Sequence, residues 1–149
     1  MDFPILDICD DELCEVWLRE YFHPQGLRCP KCRASVQQAR VFGRTQRSHV
    51  TQHRCRDCQS VYTVYTNTMF ANKQLRPAQG ILWLRGVCKG ESTATLSREL
   101  HLAYDTVHHL RQQLHTHAIR LQPNTPLPDA VTETDEMFQN AGEKRRKTQ

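Results

Sequence analysis

Two closely spaced cysteine pairs are the residues of this chain best suited to chemistry. Two residues separate Cys29 from Cys32, and Cys55 and Cys58 repeat that spacing further along the sequence. This spacing lets one tight turn present both thiolates to a single ion, and zinc accepts four such ligands in a tetrahedron. Because four cysteines close the coordination shell, the pattern predicts a structural zinc site that holds a fold and carries out no reaction.

The competing interpretation of these cysteines is four unrelated reduced thiols, which the repeated spacing argues against. His53 is a second candidate ligand, but the intact cysteine pairs make it unnecessary. Many zinc knuckles carry glycine directly after the second cysteine. Here Arg33 and Gln59 occupy those two places, so we expect slight backbone strain in both turns.

An acidic segment near the end of the chain is a further candidate for chemistry. Residues Ala130 to Phe138 predict a strand, in which alternation places Glu133, Asp135 and Met137 on one face. Carboxylates bind Mg²⁺ through oxygen, but one acidic cluster is weak evidence for a catalytic metal, and by itself it indicates an acidic surface strand.

The elements that position the cysteines come first in the chain. Asp10 to Tyr21 is predicted to form a helix, with Leu13, Val16 and Trp17 on the face that packs on the following segment. Residues 27–70 are predicted to form a zinc ribbon around the cysteine pairs. Within it, residues 61–66 are rich in β-branched and aromatic side chains and predict a strand.

Residues 75–121 predict three helices. Pro77 begins the first and Gly90 ends it, Thr93–Leu100 is the second, and the third runs from about Tyr104 to Leu121. The second and third are spaced as a helix-turn-helix, with His101 at the place where a left-handed backbone is wanted. The third helix then projects seven side chains toward DNA: Tyr104, Asp105, Thr106, His108, His109, Arg111 and Gln112. The competing interpretation is an ordinary helix pair with a solvated polar face.

Composition indicates a soluble, intracellular protein. Hydrophobic residues make up 38% of the 149 positions and charged residues 24%. The sequence contains no apolar run near the length that crosses a bilayer, so no membrane partner is expected. Seven cysteines, an odd number, fit a reducing cytosol better than a disulfide framework. The net charge is +4, and basic residues concentrate in the middle of the chain, which favours a polyanion as partner.

Taken in order, these patterns resemble the N-terminal part of a bacterial insertion-sequence transposase of the zinc-ribbon, Asp-Asp-Glu type. The resemblance covers nearly the whole chain, and the order of its parts is more specific than any one motif. It is carried by residues 26–32 (GLRCPKC), 53–58 (HRCRDC), 65–70 (YTNTMF), 96–100 (LSREL) and 132–144 (TETDEMFQNAGEK).

The resemblance implies a small α+β chain in three parts. Residues 1–72 are then an N-terminal helix plus zinc ribbon, residues 73–122 an all-α helix-turn-helix, and residues 123–149 a linker and the first strand of an incomplete RNase H-like domain. Asp135 matches the first catalytic carboxylate of such enzymes. Three carboxylates hold Mg²⁺ in a complete catalytic domain, so we expect this chain alone to be inactive in DNA cleavage and joining.

The resemblance also implies a partner and a location. The partner is double-stranded DNA at the transposon ends, with a homo-oligomer left open and no small-molecule substrate, in the cytoplasm and associated with the nucleoid. A stand-alone zinc-ribbon and helix-turn-helix transcription regulator, or a transposition repressor, is the alternative, and neither needs Asp135. A third interpretation makes the ribbon a protein-interaction module. Inverted repeats flanking the gene favour the transposase, and a nearby operator favours the regulator.

Overall fold

The computed structural model describes residues 5–121, and within them the chain forms a small α+β structure as expected. Asp135 and the predicted part 123–149 lie outside the described residues. One four-residue turn of helix, α1, is followed by four longer helices and three strands. Their bounds are α1 Ile5–Ile8, α2 Asp11–Phe22, β1 Ala39–Arg44, β2 Thr51–Cys55, β3 Val61–Tyr62, α3 Pro77–Cys88, α4 Thr93–Glu99 and α5 Tyr104–Leu121.

The three strands form one antiparallel sheet in the order β1-β2-β3. Val41 pairs with His53, and His53 pairs in turn with Tyr62, so these side chains share one face of the sheet. Arg40 and Arg54 are a neighbouring pair and therefore lie on the opposite face. An irregularity between Val41 and Gly43 shifts the register of the β1–β2 ladder at that point.

The third strand is shorter than the sequence predicts. Only Val61 and Tyr62 join the sheet, so the prediction of a strand over residues 61–66 is wrong beyond Tyr62. Threonine side chains turn the chain there: the Thr63 amide donates to Thr66 Oγ1 at 3.0 Å, and the Tyr65 amide donates to Thr63 Oγ1 at 3.2 Å. The turn carries the buried Tyr65 into the core beneath α3, where its hydroxyl donates to a backbone carbonyl.

Helix α2 turns a different face inward from the one that its apolar pattern predicts. Leu13 is 70% exposed, Trp17 is 46% exposed, and Val16 is also exposed. The prediction that these three residues pack on the ribbon is therefore wrong. Leu18 is buried instead, and Phe22 packs against the same core.

Two carboxylates explain this rotation of α2. Asp11 accepts hydrogen bonds from Arg76 Nε at 2.7 Å and from the Ala78 amide at 3.1 Å, at the start of α3. Glu15 accepts from the Thr51 amide at 2.9 Å and from the Thr51 hydroxyl at 3.1 Å, at the start of β2. Because residues four apart share a helix face, these contacts turn the face carrying Asp11 and Glu15 toward the protein.

The three C-terminal helices keep the expected bounds to within two residues. Gly90 follows α3 with a φ of 76°, and the left-handed backbone ends that helix. Ser92 caps α4, since its Oγ accepts from the Thr95 amide at 3.1 Å. Helices α3 and α4 approach closely at Gly86, where an added Cβ would overlap the side chain of Leu96.

The buried residues form two separate apolar clusters. The larger cluster lies among the helices and includes Trp83, Phe70, Leu100 and Leu110, together with Val50, the residue that precedes β2. The smaller cluster surrounds the cysteine pairs and consists of Leu27, Cys29, Cys55 and Tyr62. The ribbon therefore joins the helical core at one end and carries the cysteines at the other.

Candidate functional site

The two cysteine turns have the same backbone hydrogen bonds. In the first, the Arg33 amide donates to the Cys29 carbonyl at 3.0 Å, and the Cys29 amide donates to the Ala34 carbonyl at 2.9 Å. In the second, the Gln59 amide donates to the Cys55 carbonyl at 3.1 Å. The Cys55 amide donates to the carbonyl five residues later in the chain, as the Cys29 amide does. Two identical turns thus present two cysteines each.

The backbone strain expected after each pair is present. Arg33 has a φ of 62° and Gln59 a φ of 60°, both in the left-handed region that glycine occupies most readily. Each residue directly follows the second cysteine of its pair. Both turns therefore keep the geometry of a metal-binding knuckle without the glycine that makes that geometry easiest.

The four sulfur atoms lie close enough to hold one metal ion. The Sγ atoms of Cys29, Cys32, Cys55 and Cys58 all lie within 4.8 Å of one another. Two of the separations, Cys29 to Cys58 and Cys32 to Cys55, are 3.4 Å. A tetrahedron with metal–sulfur bonds of about 2.3 Å places its sulfurs about 3.8 Å apart, so the donor set fits such an ion.

Charge in this cluster also favours a cation. Hydrogen bonds from the side chain and backbone of Ser60 lower the pKa of the Cys58 thiol to about 6. The pKa of Cys32 is raised to about 12, because the Ala34 backbone hydrogen bond, which lowers it, is outweighed by the neighbouring thiol groups and by burial. Negative charge on one sulfur therefore disfavours a second thiolate beside it, and a bound cation would remove that repulsion.

His53 lies apart from this donor set. The described cluster contains the four cysteines alone, and the imidazole of His53 lies beside the ring of Tyr62, with the ring centroids 5.8 Å apart. Burial lowers the pKa of His53, which favours its neutral form. His53 therefore lies on the sheet face that it shares with Val41 and Tyr62, outside the cysteine cluster.

The predicted DNA-facing residues lie along α5, and most of them point outward. Val107 and Leu110 are fully buried and define the inner face of this helix. The exposed members of the predicted set are Tyr104, Asp105, His108, His109 and Gln112, and Thr106 is half-buried. The rings of Tyr104 and His108 lie parallel, 6.1 Å apart, one turn from each other. This gives α5 a continuous polar and aromatic outer face.

Arg111 differs from the other members of the predicted set. Its guanidinium donates to the backbone carbonyl of Glu91, in the connection between α3 and α4, and Arg111 is half-buried. This contact ties α5 to the preceding helix pair. The geometry therefore gives Arg111 a supporting position, in which it holds α5 in place.

Sequence reasoning did not single out the sheet face on the side away from α2. Arg40 and Arg54 lie there as cross-strand neighbours, and the Arg54 guanidinium stands 3.9 Å above the ring of Phe42. The signal that could have found this face is the charge balance along the chain. Between residues 21 and 90 the sequence has twelve Lys and Arg residues but one acidic residue, Asp57.

Comparison of the chain with protein-family models, with curated proteins and with solved structures finds no match. None of the helices in residues 5–121 has the length and apolar composition needed to cross a bilayer. A functional assignment therefore depends on the cysteine cluster and on the exposed faces of α5 and the sheet.

Proposed function

We propose that this chain is the DNA-binding portion of an insertion-sequence transposase and that it recognises the ends of its element in double-stranded DNA. In this proposal α4 and α5 act as a helix-turn-helix, and α5 is the helix that lies in the major groove. The four cysteines hold a structural zinc ion, which has no open position for catalysis.

The two-sided character of α5 carries the proposal. Its inner side, with Val107 and Leu110, is buried, whereas Asp105, His109 and Gln112 are exposed on the other side. Glutamine can form two hydrogen bonds to an adenine edge, and imidazole can donate to or accept from base edges. A helix whose buried side is fixed and whose outer side is polar presents these groups in a defined order along a groove.

The connection between α4 and α5 supports the same arrangement. It spans residues 100–103, and His101 takes the left-handed backbone expected of such a turn, with a φ of 51°. Ser97 Oγ donates to the Leu102 carbonyl at 2.7 Å, and the Leu102 amide donates to the Ser97 carbonyl at 3.0 Å. These bonds fix the angle at which α5 leaves the turn.

The proposed role of the described residues is recognition of DNA. Cleavage and joining in such transposases need three carboxylates that hold Mg²⁺, and Asp135 is proposed as the first of them. The described residues 5–121 supply the surfaces that bind and orient DNA in the bacterial cytoplasm, where the nucleoid lies.

The first test is selection of bound sites from a random duplex library, followed by variants of α5. The double variant His109→Ala/Gln112→Ala should bind the selected site at least about 30-fold more weakly, because each of the two lost base contacts costs about 1–3 kcal/mol. The matched control, Gln113→Ala/His117→Ala, removes the same residue types from the flank of α5, where both are exposed. It should change affinity less than about 3-fold.

The selected sequence separates the transposase from its alternatives. A site found in inverted repeats on both sides of the gene supports the transposase or a repressor derived from it. A site found at an operator upstream of a neighbouring gene supports a transcription regulator instead. If no sequence is enriched, or if both double variants lose affinity equally, α5 does not read bases and the proposal fails.

A further inference from the structure

The ribbon carries a concentrated positive charge that the α5 proposal does not use. Of the twelve Lys and Arg residues between positions 21 and 90, eight lie in residues 28–56, where Asp57 is the nearest acidic neighbour in sequence. The larger acidic group of the described chain lies elsewhere, in residues 7–20. A surface with so uneven a charge favours a polyanionic ligand.

Part of this charge lies on the sheet face that points away from α2, which we call the outer face. Arg40 and Arg54 are cross-strand neighbours there, and Val61 of β3 continues the same row. Phe42, at the register shift of β1, lies on this side as well, with the Arg54 guanidinium 3.9 Å above its ring. Stacking on the ring holds one guanidinium in place while Arg40 remains exposed.

A groove of about 710 Å³ adjoins this face, between the β1–β2 turn and the segment that precedes α3. Arg44 and Arg47, from the β1–β2 turn region, and Lys73, from the segment before α3, are among its lining residues. Gln52, from β2, links the groove to the outer sheet face. No acidic residue lines this groove in the described part of the chain.

The groove cations are held in position. Arg47 Nη1 donates to Gln74 Oε1 at 2.7 Å, which fixes this guanidinium across the groove. Arg44 forms an ion pair with Glu12 of α2 at 3.0 Å, and both side chains are partly exposed, so this pair is weak and phosphate can compete for the guanidinium. One planar guanidinium group can donate hydrogen bonds to two phosphate oxygens at once. The side-chain amide of Asn72, which also lines the groove, adds a neutral donor.

We propose that this groove and the outer sheet face bind the sugar-phosphate backbone of double-stranded DNA, as a second contact beside α5. The inference rests on the proposed function and assigns the ribbon a part in it. Four cations, Arg40, Arg47, Arg54 and Lys73, together with the ion-paired Arg44, spread over two adjoining surfaces, which is more than one isolated phosphate can engage. A polymer with a phosphate at every step matches that spread.

The test measures the salt dependence of duplex binding by the full, metal-loaded chain. The variant Arg47→Gln/Lys73→Gln removes two groove charges, and each lost phosphate contact lowers the slope of log affinity against log salt by about 0.9. The slope should therefore fall in magnitude by about 2, and affinity should fall for selected and random duplexes alike. Unchanged thermal melting and metal content would show that the variant is folded.

The control variant, Arg85→Gln/Lys89→Gln, removes two exposed charges near the other end of α3, about 12 and 18 Å along the helix axis from Pro77. It should leave the slope nearly unchanged. If both variants lower the slope equally, or neither does, the groove makes no specific contact and this inference fails while the role of α5 stands. If the unaltered chain binds no duplex, the proposed function and this inference fail together. Binding of an acidic peptide in place of DNA would also overturn it.

Discussion

The ribbon and the helical half of this molecule are stabilised by different means. Thirteen buried residues form the cluster among the helices, including large side chains such as Trp83 and Phe70. The cluster at the cysteine end of the ribbon has four buried members, and two of them are the cysteines Cys29 and Cys55. A core this small cannot offset the conformational entropy of the chain around it, so we expect the ribbon to depend on an ion held by its four cysteines and the helical half to depend on its own core.

The two regions also have different roles in the proposed binding of DNA. The helical core fixes the angle of α5, whose outer face carries the groups suited to reading bases. The ribbon carries a sheet face and a groove that are both positively charged. Such surfaces bind phosphate groups whatever the base sequence of the DNA. In this division the metal ion affects DNA affinity through the ribbon, whereas core packing affects sequence preference through α5.

The largest expected effect is loss of the ribbon when its metal is removed. Chelation, or the variant Cys55→Ser, should abolish the dispersed amide signals of residues 27–62, because structural zinc contributes about 10–16 kcal/mol in comparable small modules. Most of the helical circular dichroism should persist. Cys88→Ser is the control, since Cys88 is exposed and outside the cysteine cluster, and it should change neither signal.

That result would be contradicted by either of two outcomes. If chelation leaves the ribbon signals intact, the cysteines hold no essential metal. If it removes the helical signal in the same step, the two regions form one cooperative unit and the contrast between them is wrong.

A smaller effect is expected from overpacking the helical half at Gly86. An added Cβ would overlap Leu96 and lie 2.9 Å from Glu91 Oε2. We expect Gly86→Ala to lower the free energy of unfolding by about 1–3 kcal/mol, measured by urea denaturation of the metal-loaded chain. Gly80→Ala is the control at a looser contact, 3.1 Å from the ring of Phe70, and should cost less. Equal costs would mean that α3 and α4 do not meet at Gly86.

The smallest expected effect is a gain in stability at the turn between α4 and α5. His101 has a φ of 51°, and glycine takes this backbone without steric cost. His101→Gly should therefore raise the free energy of unfolding by up to about 1 kcal/mol, seen as a higher Tm. Ala94→Gly, at an exposed position of α4, should lower it by a similar amount. A lower Tm for His101→Gly would mean that the histidine side chain stabilises the turn.

Local patterns in the sequence account for much of this structure. Paired spacing identified the cysteine cluster, and helix signals such as Pro77 and Gly90 gave the bounds of α3. The left-handed positions at Arg33, Gln59 and His101 followed from where glycine would be expected. In each case neighbouring residues alone determine the backbone.

The features that the sequence did not predict depend on distant residues. Helix α2 has apolar side chains on two faces, and the choice between them is made by Asp11 and Glu15, whose partners lie far along the chain. Strand β3 ends at Tyr62 because threonine side chains form a turn there, although residues 61–66 have the composition of a strand. Arg111 resembles a DNA-reading residue by position, yet its guanidinium binds the carbonyl of Glu91.

The most direct test of the contrast between the two regions is the metal content of the folded chain. Native mass spectrometry of protein purified without added metal should find one zinc ion per chain. The same measurement on Cys55→Ser should find the ion largely lost, while Cys88→Ser keeps it. A folded chain with intact ribbon signals and no bound metal would contradict the account, since the ribbon would then be stable through its own small core.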